Sequence, residues 1–262
     1  MIRSLFTAAT GMQAQQINID VISNNLANVN TTGYKRSRAD FQDLMYQTMQ
    51  IAGVTNAAGL EVPTSLQVGL GVKPVAVQKV FSQGDFIRTE NPLDMVIEGD
   101  GFFQILQLDG TIVYSRAGTF KLDSQGNIVT SDGLPLEPAI TLPIDATRVD
   151  ISSDGIVSVL QPGTETPTEV GQIELARFAN PSGLESLGSN LYAVTQSSGP
   201  ATLNIPGTEG LGTIGQGFLE TSNVNVVDEM VNLIVSQRAY ELSSKVVQAS
   251  DEILQMANNM RR

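Results

Sequence analysis

The chain contains no cysteine, no histidine and no tryptophan. Without thiols it forms no disulfide, builds no thiolate zinc site and offers no cysteine nucleophile. Without imidazole it has no histidine acid, base or metal ligand. No apolar run approaches the roughly 18 residues of a membrane-spanning helix, so no membrane insertion is expected. The amino-terminal stretch MIRSLFTAATGMQAQQ lacks the apolar centre and cleavage site of a secretory signal. That absence leads to an expectation of the cytoplasm, or of export by a route that needs no cleavable signal.

What is present is 262 residues, 41% hydrophobic, with a net charge of −12. The length allows one large domain or two modest ones. Residues 1–50 carry four basic and three acidic groups, and residues 221–262 carry four and five. Residues 51–220 carry seven basic and nineteen acidic groups, so the excess lies in the middle. An acidic middle repels phosphates, which argues against nucleic acid as a partner. Near-neutral, apolar-striped ends predict that the ends pack and the middle faces water.

Residues 224–260 have no glycine and no proline. Val235, Ala239, Leu242, Val246, Ala249, Ile253, Met256 and Met260 follow one another at alternating steps of four and three, a heptad seam. Val227, Val231 and Ile234 continue it upstream with a one-residue phase slip. A helix of this length reaches about 50 Å at 1.5 Å per residue, more than a compact domain absorbs, so its seam needs a partner. Residues 2–29 carry a second helical stripe: Ile2, Leu5, Ala9, Met12, Ile19, Leu26 and Val29, with Gln16 at the missing position and Ile22 one residue early. Gly11 weakens this helix by about 1 kcal/mol relative to alanine. Antiparallel pairing of these two helices brings both termini into one domain and makes the rest of the chain an insertion. The plainer reading is two ordinary core helices of a globular fold.

Asn24, Asn25, Asn28 and Asn30 are poor helix formers with strong local hydrogen-bonding habits. They mark either a fraying polar end or amides that fix register between packed chains. Gly33, after Thr31-Thr32, is placed for a left-handed cap. Lys35, Arg36 and Arg38 read as a solvated turn. Within residues 42–90, Leu66, Val68, Leu70 and Val72 alternate with Gln67, Gly69, Gly71 and Lys73, which predicts an extended strand with a close approach or bend at its glycines.

Residues 91–206 read as β throughout. Strand candidates include Val113, Tyr114 and Ser115, and the run from Gly118 to Leu122. Asp109-Gly110, Asp132-Gly133 and Asp154-Gly155 are hairpin-turn pairs. Pro135, Pro138, Pro143, Pro162, Pro167 and Pro181 suit turns and edges, and residues 164–168 read as a loop tip. Asp123 to Asn127 lacks the ligand spacing of a calcium loop and reads as a β-turn. The glycines near Glu98 and Asp100 fit no nucleotide-binding pattern. The carboxylates select no catalytic pair, and no cofactor or metal is expected. The glycine-rich stretch 207–217 predicts irregular strands. Ser222 or Asn223 is the expected cap of the last helix, with Asp228 and Glu229 in its first turns.

The stretch SNNLANVNTTGYKRSRADF at 23–41, together with SQRAYELSSKVVQASDEILQMANNM at the far end, resembles the rod and hook proteins of the bacterial flagellum. The distal-rod branch is the strongest match. NPLDMVIEGDGFFQI at 91–105 and YSRAGTFKLDSQGNIVTSDGLPL at 114–136 extend the resemblance over essentially the whole chain. Periodicity and resemblance together predict an α+β fold. In it the terminal helices, 1–30 and 225–262, pair as an elongated coiled-coil-like domain. An extended β connection, 31–90 with 207–224, leads to an antiparallel β-rich outer domain at 91–206.

The resemblance implies a structural, non-enzymatic subunit that polymerises helically into the distal rod, a rigid drive shaft that carries torque from motor to hook. Its implied partners are further copies of itself, proximal rod proteins, hook protein, the P-ring and L-ring proteins and the flagellar export apparatus. The expected subunit-interface residues are Leu5, Ala9, Met12, Ile19, Asn24, Asn25, Leu26, Asn28, Gly33 and Tyr34, and then Val235, Ala239, Leu242, Val246, Ala249, Ile253, Met256 and Met260. Residues 46–63, with Tyr46, Gly53, Gly59 and Pro63, resemble the insertion that distinguishes distal rod from hook proteins and that is implicated in keeping the rod straight. Alternatives are a proximal-rod subunit, a carboxylate-dependent enzyme acting on cell-wall glycan, and a β-domain binding module with coiled-coil dimerisation.

Overall fold

A computed structural model describes residues 2–53, 63–163 and 166–260. The fold is α+β, with a helix at each end and antiparallel strands between them. The chain divides into two compact units: Met1–Leu26, Ser37–Gln78 and Asn225–Arg262 form one, and Ala27–Arg36 with Lys79–Val224 form the other. No helix among the described residues is long and apolar enough to cross a membrane.

The first unit is built on two helices. The amino-terminal helix α1 spans Ile2–Ala27 and the carboxy-terminal helix α2 spans Val226–Asn259, 34 residues without a break. Asn225 caps α2, its side chain accepting a hydrogen bond from the Val227 amide at 3.0 Å. This corrects the expectation of a cap at Ser222 or Asn223. The Asn223 side chain is engaged elsewhere, accepting from the Arg36 amide and donating to the Val80 carbonyl. Asp228 and Glu229 lie in the first turn, where acidic groups suit the positive end of the helix dipole. Helix α1 stops at Ala27, so Asn28 and Val29 lie in the following turn.

Strand Ser37–Asp43 pairs with Val72–Lys79, and Tyr46–Gln50 pairs antiparallel with Leu66–Gly69. The single extended strand expected across Leu66 to Lys73 is interrupted at Leu70 and Gly71. Gly71 has φ +121°, and a Cβ there would overlap the Thr10 hydroxyl of α1. The strand breaks because the backbone passes too close to the helix for any side chain.

The second unit holds the apolar core. Its largest sheet runs in the order Glu185–Gly188, Leu191–Ala193, Ile112–Ser115, Phe102–Leu106, Leu175–Arg177 and Thr202–Asn204, with Leu136–Glu137 also on Phe102–Leu106. Strand Phe102–Leu106 is covered on both faces. Phe103 points into a cluster with Met95, Ile97, Phe120, Leu136 and Leu175, while Phe102 joins Tyr114, Phe178 and Tyr192. Phe103 meets Phe120 edge-on at 5.2 Å, a favoured aromatic geometry.

The three Asp-Gly pairs all sit in turns. Asp109-Gly110 joins two paired strands, as does Asp154-Gly155, and Gly133 closes on Thr130. Asp123 to Asn127 is a turn as well, with the Gly126 amide donating to the Asp123 carbonyl at 2.9 Å. The glycine-rich 207–217 stretch contains strand Thr213–Gln216, paired antiparallel with Met95–Glu98. Part of the expected loop tip, residues 164 and 165, lies outside the described residues.

Candidate functional site

The helix pair is antiparallel, and its inner seam carries small and polar residues at heptad spacing among apolar ones. Ser4 lies 3.2 Å from Ser250, Asn18 donates to Ser236 at 2.8 Å, and Asn25 donates to Glu229 at 3.4 Å. Between the first two pairs, Gly11 faces Ser243. The buried side chains of α2 are Glu229, Ser236 and Ser250, with Leu233, Ser243, Val247 and Leu254 half-buried on the same face. Ala8, Ala14 and Ile22 supply the apolar part of the seam from α1.

The apolar stripe of α2 runs one residue out of step with this seam, with Val235 beside Ser236, Leu242 beside Ser243 and Ala249 beside Ser250. It is therefore left uncovered: Val235 is 61% exposed, Leu242 62% and Met256 57%. Val246, Ile253 and Met260 are exposed as well, as is Ala249, while Ala239 is half-buried. Val227, Met230, Val231 and Ile234 prolong the exposed surface toward the start of the helix. On α1, Leu5, Met12, Ile19 and Leu26 are half-buried and Ala9 is exposed. A stripe of this size on one helix face is far from the scattered single apolar residues of an ordinary surface.

The other expected interface residues separate into two groups. Asn24 is exposed and Asn28 half-buried, whereas Asn25 is buried and brackets the Ser37 backbone, donating to its carbonyl and accepting from its amide, both at 2.8 Å. Gly33 and Tyr34 are buried inside the β-rich unit. Gly33 has φ +69°, left-handed as expected, but α1 ends at Ala27 and the Gly33 amide donates to the Glu220 carbonyl, so Gly33 does not cap that helix. A Cβ there would lie 2.6 Å from the Ala117 nitrogen. Tyr46, Gly53 and Pro63 are exposed. Gly59 lies outside the described residues. Met45, Met49, Ile51, Leu66 and Val68 make the hairpin around Tyr46 a second uncovered apolar surface.

A buried ionic cluster was not foreseen. Lys35 is 1% exposed and Glu220 2%, which corrects the reading of the basic cluster as a solvated turn. Lys35 Nζ donates to Glu220 Oε1 at 2.6 Å and to the Ser82 carbonyl at 2.7 Å. Arg116 Nε donates to Glu220 Oε2 at 2.7 Å, and its guanidinium also donates to the carbonyls of Ile97, Gly99 and Gly101. The Gly84 amide supplies a further hydrogen bond to Glu220 Oε1. Burial pushes the Glu220 carboxyl up, but Arg116 and Lys35 outweigh it and hold the group below its ordinary value. Of the three basic residues, only Arg38 behaves as a surface group, paired with Asp40.

Among the described residues, no group of three or more acidic side chains is arranged to hold a metal ion. What the geometry offers is surface for association, from a long helix, α2, and a hairpin that leave apolar residues outside. Three family models match the chain: "Flagella basal body rod protein" over residues 5–35, "Flagellar hook protein FlgE/F/G D1 domain" over 96–159, and "Flagellar basal body rod FlgEFG protein C-terminal" over 216–260. The flagellar basal-body rod protein FlgG of Borreliella burgdorferi is 50% identical over 264 residues, covering 100% of both chains. The chain belongs to the FlgG family of flagellar basal-body rod proteins. Another FlgG, from Buchnera aphidicola of Schizaphis graminum, is 50% identical over 99% of this chain and 100% of its own. The Bacillus subtilis FlgG is 43% identical over 100% of both. As a FlgG-family member, this protein is a structural subunit of the flagellar rod, and it assembles in the basal body with other rod and hook proteins.

Proposed function

We propose that the protein polymerises helically into the distal rod, burying the exposed α2 stripe between copies, and that this shaft carries torque from motor to hook. The observation that supports the reading is the uncovered stripe itself, from Val235 to Met260. Each large apolar side chain stabilises by about 1.5–3 kcal/mol on full burial, a sum that favours association of copies whose helices are already formed. Subunits that meet head-to-tail by a rotation that does not close form an open helix rather than a ring. Leu5, Met12, Ile19 and Leu26 flank the stripe's partner surface on α1. Asn24 and Asn28 sit at its margin.

Proximal rod proteins below, hook protein above and the P-ring and L-ring proteins around the shaft are the partners this reading assigns. Delivery is by the flagellar export apparatus. The hairpin strands Tyr46–Gln50 and Leu66–Gly69 pack between neighbours, and the segment 46–63 is assigned the role of keeping the rod straight. The test is sedimentation of Leu242→Asp against the unaltered protein. The altered chain is expected to remain small at concentrations where the parent forms large polymers, and equal polymerisation would overturn the reading.

A further inference from the structure

The inner seam departs from ordinary amphipathic packing, in which the main apolar stripe of a helix turns toward its partner. Polar rungs alternate there with Leu233, Val247 and Leu254 of α2, while the longer stripe of α2 stays outside. Ser4, Gly11, Asn18 and Asn25 of α1 meet Ser250, Ser243, Ser236 and Glu229 of α2, and successive pairs are one heptad apart on both helices. Buried polar groups cost stability unless they find partners, and a polar residue in a seam selects one register at the expense of stability. The Asn25 amide is fixed further by its two hydrogen bonds to the Ser37 backbone, which tie the last rung to the strand beside it. At Gly11 an added Cβ would already stand 3.5 Å from the Ser243 hydroxyl, so the helices approach closely at that rung.

We propose that this polar ladder is the specificity element of the helix pair. It fixes the rotation of α2 against α1, so that the stripe at Val235, Leu242, Val246 and Ile253 is held off α1 and kept for other copies. Asn18, Asn25, Ser236 and Glu229 are its positioning residues. The energy of assembly comes from the outer stripe, and the ladder decides which face that stripe occupies. An apolar inner seam would lose this choice. Helix α2 would roll by one residue, bring Ala249 to the place of Ser250, and satisfy its stripe within one chain. The inference rests on the proposed burial of the stripe between copies.

The absence of cysteine makes disulfide trapping free of background. In the full-length protein, Ser4→Cys with Ser250→Cys reports the ladder register, and Ser4→Cys with Ala249→Cys reports the rolled one. Each pair is made in the parent and in a chain that also carries Asn18→Leu and Ser236→Leu, with helix content followed by circular dichroism. The parent is expected to trap the 4–250 pair. The Leu chain is expected to shift the trapping ratio toward 4–249 by about tenfold, the scale of one or two net hydrogen bonds, while keeping its helical signal. An unchanged ratio would overturn the proposal. Loss of the helical signal would overturn it too, because the ladder would then supply stability rather than choose between packings. A shifted ratio in a protein whose parent never polymerises would uphold the ladder and count against the polymer reading alone.

Discussion

Lys35 and Glu220, 185 residues apart in sequence, meet at 2.6 Å inside the β-rich unit with both side chains almost wholly buried. With Arg116 on the second carboxylate oxygen at 2.7 Å, one acid neutralises part of two buried cations. The segments it joins are the one that leaves α1 in sequence and the one that leads into α2. The backbone repeats the join, since the Gly33 amide donates to the Glu220 carbonyl at 2.8 Å.

Removing the acid leaves both cations buried without their carboxylate. Glu220→Ala is expected to destabilise the protein by about 3–5 kcal/mol, the cost typical of breaking a buried pair from one side. Urea denaturation of the full-length chain measures it. A loss below about 1 kcal/mol would mean that water reaches the cations and the cluster is not closed.

The same carboxylate gives the unit a dependence on acid. Its value in the folded state is held below the ordinary one, so the folded state binds its proton less readily than the unfolded chain does. The stabilisation is complete above the unfolded carboxylate value. It declines as pH drops below that value and is lost as pH falls through the depressed folded one. Denaturation midpoints taken from neutral pH downward should fall more steeply for the parent than for Glu220→Gln, which lacks the titrating group. Parallel slopes would contradict the assignment.

Gly33 combines a positive φ of +69° with a close approach to the Ala117 backbone. Gly33→Ala is expected to cost about 2 kcal/mol or more, from strain of about 1–3 kcal/mol at such positions and displacement of Ala117. Gly53→Ala is the control for space, since its φ is also positive, +81°, but nothing lies within 4 Å. Thermal unfolding of the two variants should separate them, and equal losses would put the whole effect in backbone strain.

The hairpin around Tyr46 exposes Met49 and Leu66. Met49→Ser with Leu66→Ser is expected to leave the unfolding midpoint within about 0.5 kcal/mol of the parent, as surface changes do, while polymers seen by electron microscopy become shorter or curved. Straight polymers of unaltered length would remove the hairpin from the assembly surface.

Much of this architecture is legible in the residues. The run without glycine or proline through α2, the heptad steps from Val235 to Met260 and the Asp-Gly turns are local signals, and local signals survive folding. The rotation of α2 was not legible, because the apolar stripe is the louder signal. A hydropathy pattern shows which residues seek burial, and Ser236, Ser243 and Ser250 at heptad spacing carry no such demand. Their regular spacing was the available clue to the inner seam. Lys35 was misread for a different reason. Its neighbours Arg36 and Arg38 suggest a wet turn, while its partners Glu220 and Ser82 are brought in only by tertiary structure. The bend at Gly71 was legible in the glycine itself, but its cause, the approach to Thr10 far earlier in the chain, belongs to tertiary structure.

The most direct measurement is amide hydrogen exchange on the full-length protein, dilute and then concentrated, with sedimentation followed in parallel. If the outer stripe is buried between copies, residues of α1 and α2 exchange faster in the dilute protomer than residues 91–206, which stay protected throughout. Protection of the helices then rises only as large polymers appear. Helix exchange that does not slow on concentration would contradict that burial and leave the stripe at Val235, Leu242 and Met256 without its partner.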